Sequence, residues 1–179
     1  TDDIAMSITK NEAAKKILLV GLVNDISLRN LIPQELDKRF GFLQSKPANS
    51  FSPVFVTLDE LGEYWTENKL HLPVKSYVNE ELTGQPNAGK DMFFDFADLI
   101  VHACKTRHLS AGTIIGSGTV SNYDPTTGVS CLAELRTKEM INHGAAKTPY
   151  LKSGDIVRIE VLNDKQQSIF GAIETHFKS

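Results

Sequence analysis

The chain has 179 residues, 41% of them hydrophobic and 23% charged, with 19 Lys and Arg against 22 Asp and Glu for a formal charge of -3. That apolar content suffices for one sizeable core, so a single domain is expected. The interspersed charge excludes the clustered basic surface of a nucleic-acid or acidic-membrane binder.

The longest apolar runs, residues 17–23 and 99–103, are too short to span a bilayer and lack the flanks of a secretory signal. The cytosol is therefore the expected compartment. Thr9 with Glu12 forms a capping-box signal, and residues 12–23 read as a helix whose apolar side carries Ala13, Ile17, Val20 and Leu22. Asp25 and Arg29 then fall at or just beyond a helix C-terminus. Residues 31–49 lose periodicity and are punctuated by Pro33, Gly41 and Pro47, which predicts a long, partly ordered loop of the kind that is often functional.

Residues 53–56 read as a short strand, and Thr57 with Glu60 as a second capping box leading into a helix through Trp65. Leu70, Leu72, Val74 and Val78 share one parity, predicting a half-buried strand before a turn at Asn79 and Glu80. Phe93, Phe96, Ala97, Ile100 and Cys104 lie at helical spacing, so residues 91–107 read as a helix with a core-facing stripe. Residues 113–120 read as a buried strand ending in a Gly-Ser-Gly turn. Residues 155–162 alternate cleanly, and Asn163-Asp164-Lys165 turns the chain into a last strand over 169–175. Strands outnumber helices without alternating with them, so the expected class is α+β with mostly antiparallel or mixed pairing. Cys104 and Cys131 lack CxxC spacing and read as buried, reduced thiols.

Three constellations carry possible chemistry. Asp25, Arg29 and Lys46 combine a hard-cation ligand, a fork for an anionic substrate and an ammonium able to stabilise developing negative charge. One carboxylate cannot hold a divalent ion alone, and Asp37, Asp91, Asp95 and Asp124 show no recognisable ligand spacing. The glycine-rich segment from Gly112 to Thr119 exposes backbone N–H groups and the Thr119 hydroxyl, a potential carboxylate or phosphate cradle, though without the Gly-Lys-Ser/Thr of a phosphate loop. Glu134 is either a partly buried carboxylate suited to general acid–base work or an exposed residue paired with Arg136 or Lys138. His71, His102, His108, His143 and His176 show no metal-ligand spacing.

Taken in order, Asn24-Asp25-Ile26-Ser27-Leu28-Arg29, Gln44-Ser45-Lys46-Pro47, Phe51-Ser52-Pro53 with Thr57-Leu58-Asp59-Glu60-Leu61-Gly62, Gly116-Ser117-Gly118-Thr119-Val120-Ser121 and Tyr150-Leu151-Lys152-Ser153-Gly154-Asp155 resemble the fumarylacetoacetate hydrolase family over nearly the whole chain. The resemblance implies the C-terminal catalytic domain of that family, a mixed β-sheet roll with a few flanking helices. It further implies a homodimeric, metal-dependent hydrolase that cleaves a carbon–carbon bond in a small 1,3-diketo acid, releasing fumarate and acetoacetate in aromatic amino-acid breakdown. By the same resemblance Asp25 is a ligand to Mg²⁺, with Ca²⁺ or Mn²⁺ as substitutes, Arg29 and Thr119 meet the substrate, and Lys46 and Glu134 are catalytic. Acylpyruvate hydrolases, hydratases, decarboxylases and isomerases share the scaffold, and a non-catalytic binding domain is the reading from another class.

The chain also departs from the family pattern. The family's Glu-x-Glu ligand segment is expected just before Thr1 and its His further upstream, so the 179 residues read as a piece of a longer product. Lys46 lies one residue further from Asp25 than in the animal enzymes, and Asn30 stands where an Asp is common. Gln34 matches the family's substrate-loop Gln only after a shift.

Overall fold

In the computed structural model, which describes residues 1–178, the Thr9 capping box forms: Thr9 Oγ1 accepts from the Glu12 N–H at 3.4 Å, and Glu12 Oε2 accepts from the Thr9 N–H at 3.2 Å. The helix it opens, α1 (Lys10–Ala14), is only five residues long. Ala13, Ile17, Val20 and Leu22 are all buried as expected, but the expected helix over 12–23 is otherwise replaced by β1 (Leu19–Val20) and β2 (Val23–Asn24). Two causes act together. Gly21 weakens a helix by about 1 kcal/mol, and both short strands find antiparallel partners in β3 (Ser50–Phe51) and β4 (Val56–Thr57): Val20 faces Val56, and Asn24 faces Ser50. Asp25 and Arg29 therefore follow a strand end. Of the single strand expected over 53–56 only Val56 lies in a strand, β4, while β3 ends before it.

Within the expected loop, α2 (Ile32–Asp37) forms with Pro33 in its first turn, and it buries none of its residues. The second capping box does not form. The Thr57 side chain bonds the Asp59 carboxylate instead, and holds its pKa below the usual range. α3 (Leu58–Leu61) then tightens into a 3₁₀ turn over Gly62–Tyr64, and β5 (Trp65–Thr66) pairs with β6 (Lys69–Leu70).

The largest sheet is antiparallel in the order β10–β9–β7–β8, built from β7 (Val74–Val78), β8 (Glu81–Gly84), β9 (Ile156–Val161) and β10 (Ile173–His176). The Asn79–Glu80 turn holds both residues at positive φ, 50° and 69°, which suits a two-residue hairpin. One face of this sheet contributes Val74, Val161 and Ile173 to the core, joined by Leu61, Leu70, Leu72 and Phe170. The turn expected at residues 163–165 forms, with the Asn163 side chain accepting from the Lys165 and Gln167 N–H groups, but the last strand starts only at Ile173 because the chain bends at residues 169–170 and Gly171 adopts φ 72°.

Against this core packs α4 (Phe96–Ala103), with Ala97, Ile100 and Cys104 buried. The helix expected over 91–107 starts late because Asp95 is its N-cap: Asp95 Oδ1 accepts from the Asp98 N–H at 3.0 Å. Phe93 thus lies outside it, 80% exposed. Lys10 of α1 ties the two helices by pairing with Asp95 and Asp98 at 2.7 and 2.8 Å.

Residues 113–120 do not form the expected buried strand. The segment has no ladder partner among the described residues, Ile114 is exposed, and Gly118 adopts φ 79°. The longest helix, α5 (Leu132–His143), was not expected, because it buries no residue and so carries no clear apolar stripe; Gly144 at φ 78° ends it. Both thiols are free, with Cys104 buried as expected and Cys131, the N-cap of α5, only half-buried. The expected α+β class holds, with one four-stranded and three two-stranded sheets flanked by short helices among the described residues. No described helix is long and apolar enough to cross a membrane.

Candidate active site

β2 delivers Asn24 to the sheet, where its side-chain N–H₂ donates to Thr175 Oγ1 at 3.2 Å, and the chain then turns out through Asp25. Across 21 residues Lys46 Nζ donates to Asp25 Oδ2 at 2.8 Å and to Ser27 Oγ at 2.8 Å, and it lies 5.9 Å from the Phe42 ring centroid. The Asp25 side chain is 57% exposed, so this pair adds little stability and its value is placement. The turn before Lys46 is gathered by Glu35, whose carboxylate accepts from the Leu43, Gln44 and Ser45 N–H groups and from the Ser45 hydroxyl. Those bonds, the hydroxyl's first, hold the Glu35 pKa down to about 2.

A second group forms an open cleft of about 590 Å³, lined by Arg29, Thr119, Ser121, Cys131, Glu134 and Lys138 among others. Glu134 sits in the first turn of α5. Its Oε1 accepts from Ser121 Oγ at 2.9 Å and from Lys138 Nζ, one turn on, at 2.6 Å. Cys131 and Ala133 line the same cleft, and Glu134 is both partly buried, its side chain 21% exposed, and paired with Lys138, so it carries a feature of each of the two readings. Arg29 Nη2 donates to Cys131 Sγ at 3.9 Å. Thr119 and Ser121 both line this cleft and also a neighbouring cleft of about 270 Å³ beside Lys90, Phe93 and Phe94.

Asn122 fixes this segment in the absence of a strand ladder. Buried to 7% exposure, its side chain donates to the carbonyls of Asn87, Lys90 and Ser121 at 2.8 to 3.1 Å and accepts from the Asn87 N–H at 2.7 Å. Ser130 Oγ donates to the Val120 carbonyl at 2.5 Å, tying the same segment to the start of α5.

The five residues singled out in the sequence thus fall into two groups, Asp25 with Lys46 and Arg29 with Thr119 and Glu134. No hydrogen bond or ion pair joins the groups among the described residues. They are linked by the chain from 25 to 29, whose four steps can span at most about 14 Å. Glu35, Ser121 and Asn122 went unread: the two-residue period after Thr119 signals Ser121, whereas nothing local signals the other two.

Asp25 fits as one ligand of a hard cation, but the described residues contain no group of three His, Cys, Asp or Glu side chains able to hold a metal. Three of the four other candidate acids are engaged elsewhere. Asp91 accepts from the Tyr123 N–H, Asp95 caps α4, and Asp124 accepts from the Thr126 N–H and hydroxyl. The histidines contribute no ligand set either.

The α+β fold thus carries two cations, Arg29 and Lys138, with hydroxyls and the Glu134 carboxylate around one open cleft. Residues 2–178 match the family described as fumarylacetoacetate (FAA) hydrolase C-terminal, and the chain belongs to that family. Among solved structures it is similar to yeast ynq8, a fumarylacetoacetate hydrolase family protein, at 19% identity and a TM-score of 0.68, covering 100% of this chain and 63% of that one. It is similar also to a provisionally assigned fumarylpyruvate hydrolase from Burkholderia cenocepacia (18%, 0.67, 99% and 63%) and to a probable 2-hydroxyhepta-2,4-diene-1,7-dioate isomerase from Mycobacterium abscessus (20%, 0.61, 98% and 57%). At these identities the likeness is one of fold, and the chain spans 57 to 63% of the length of these three relatives. No curated protein matched it. The scaffold is thus one that carries both hydrolases and isomerases.

Proposed function

We propose that the protein is a carbon–carbon bond hydrolase of this family acting on a 1,3-diketo acid, most directly fumarylacetoacetate to fumarate and acetoacetate, as a cytosolic homodimer. The observation that carries this reading is the meeting of Arg29, Thr119 and Glu134 around one cleft, with Arg29 four residues along the chain from Asp25, which pairs with Lys46. Arg29 and the Thr119 hydroxyl bind the substrate carboxylate, the guanidinium as a fork and the hydroxyl as a single donor. Glu134 takes a proton from the attacking water at Oε2, since Oε1 is held by Ser121 and Lys138.

Hydroxide adds to the acyl carbonyl, the carbon–carbon bond breaks, and the electron pair leaves as the enolate of the second acid, which is protonated to the ketone. The Lys46 ammonium donates a hydrogen bond to the oxyanion that develops. Groups in such a role are typically worth about 100- to 1000-fold in rate. A divalent cation, Mg²⁺ or in its place Ca²⁺ or Mn²⁺, supplies Lewis-acid polarisation of the diketone when bound, and Asp25 is the carboxylate here placed to contribute to holding it.

The test is to incubate the full-length gene product with fumarylacetoacetate and Mg²⁺ and to identify products by NMR. Two acids in equal amounts, lost on adding chelator, support the reading. A single product of unchanged carbon skeleton replaces it with an isomerase or hydratase. No turnover of this substrate or of acylpyruvates by metal-loaded protein favours a non-catalytic binding domain.

A further inference from the structure

The turn that presents Lys46 has almost nothing apolar to hold it. Phe40, Phe42 and Leu43 are 88%, 50% and 66% exposed, and α2 buries no residue. Ser45 nevertheless has no exposed surface. What gathers the turn is a single carboxylate. Glu35 Oε1 accepts from the Gln44 N–H at 2.6 Å and the Ser45 N–H at 3.3 Å, and Oε2 from the Leu43 N–H at 3.0 Å and the Ser45 hydroxyl at 2.5 Å. Three consecutive backbone N–H groups and one hydroxyl thus converge on both oxygens of one side chain, in place of the apolar contacts that fix most loops. From its other side the turn is pinned to the segment carrying Asp25 and Arg29, because the Leu28 N–H donates to the Ser45 carbonyl at 2.8 Å.

We infer that Glu35 is a positioning residue for Lys46: by gathering residues 43–45 it sets the next side chain onto Asp25 and Ser27. The inference rests on the proposed function only for the claim that this placement matters to catalysis. The placement itself is read independently. A Gln at 35 keeps the shape but offers one carbonyl oxygen, which accepts at most two of the four donors, and turns an N–H₂ toward the rest. The turn then loosens, and Lys46 leaves Asp25 for part of the time.

The experiment measures the acetylation rate of each lysine in the native full-length protein by mass spectrometry, for wild type, Glu35→Gln, Ser45→Ala and Asp25→Asn, alongside kcat and the melting temperature. A Lys46 ammonium released from its carboxylate gains roughly two- to fivefold in reactivity, the factor that a lost surface ion pair implies, while exposed Lys105 and Lys165 stay unchanged as internal references. Ser45→Ala, which removes only the hydroxyl donor, gives a smaller rise. With Lys46 misplaced by about 1 Å, kcat falls on the order of 100-fold. Faster Lys46 acetylation with unchanged kcat upholds the positioning role and removes Lys46 from the catalytic reading. Unchanged Lys46 acetylation in a folded Glu35→Gln protein overturns the inference. Should that variant fail to fold, an unchanged rate in Ser45→Ala overturns it equally.

Discussion

Replacing Gly84 by alanine tests how the sheet positions α5 and Glu134. Gly84 ends β8 and bridges Gly128, and a Cβ at this position would lie 2.2 Å from the Val129 N and 2.5 Å from the Val129 carbonyl oxygen. Ordinary contact begins near 3.4 Å, so the backbone at 128–129 must retreat by about 1 Å or more. No side chain can rotate to absorb that. Overpacking against backbone costs about 1–3 kcal/mol, and the retreat also breaks or stretches the Val129 N–H bond to the Thr83 carbonyl and the Gln85 N–H bond to the Thr127 carbonyl, worth about 1 kcal/mol each. The expected loss is roughly 3–5 kcal/mol, or about 6–20 °C in melting temperature for a domain of this size. Circular-dichroism melting of Gly84→Ala reads it, with Gly116→Ala as control, since a Cβ there meets nothing within 4 Å. The control is expected within about 0.5 kcal/mol of wild type. If Gly84→Ala melts within about 2 °C of wild type, the claim that this close approach fixes the start of α5 is wrong.

Asn122→Ala removes four hydrogen bonds from a buried side chain and strands three carbonyls and an N–H, for an expected loss of about 2–4 kcal/mol by denaturant unfolding; a loss under about 1 kcal/mol contradicts its anchoring role. Of the two thiols, Cys131 lines the cleft whereas Cys104 has no exposed surface and burial pushes its pKa up. Maleimide is therefore expected to label Cys131 in the native protein and Cys104 only after denaturation, and the reverse order refutes the placement. The pH dependence follows from Glu35, whose folded pKa of about 2 lies below its ordinary 4.5. Its stabilising contribution is complete above about pH 4.5 and is lost as pH falls toward about 2. Hydrogen exchange at the Gln44 and Ser45 amides is expected to stay slow at about pH 3, and protection lost already near pH 4 contradicts the hub.

How much was legible depended on whether burial or partnership decided the outcome. Ala13, Ile17, Val20 and Leu22 were readable as core because apolarity alone predicts burial, yet the same short run suits either a helix or buried strands. Pairing with residues 51 and 56 decided it, and those partners lie some thirty residues away. The stripe Ala97, Ile100 and Cys104 was clear because α4 packs one face on the core. α5 was silent because it buries nothing. The candidate site shows the same division. Residue types along the chain pointed to Asp25, Arg29, Lys46, Thr119 and Glu134, but not to their contacts, since Lys46 meets Asp25 through a turn held by Glu35 and Glu134 meets Ser121 across two segments. Hydrogen-bond hubs of this kind leave no periodic trace in a sequence.

The most direct test of the central claim, that the two groups form one catalytic site, is steady-state hydrolysis of fumarylacetoacetate by full-length protein carrying Lys46→Met or Glu134→Gln. Each variant is expected to lose about 100-fold or more in kcat with its melting temperature within a few degrees of wild type. Wild-type kcat in either folded variant would contradict the account.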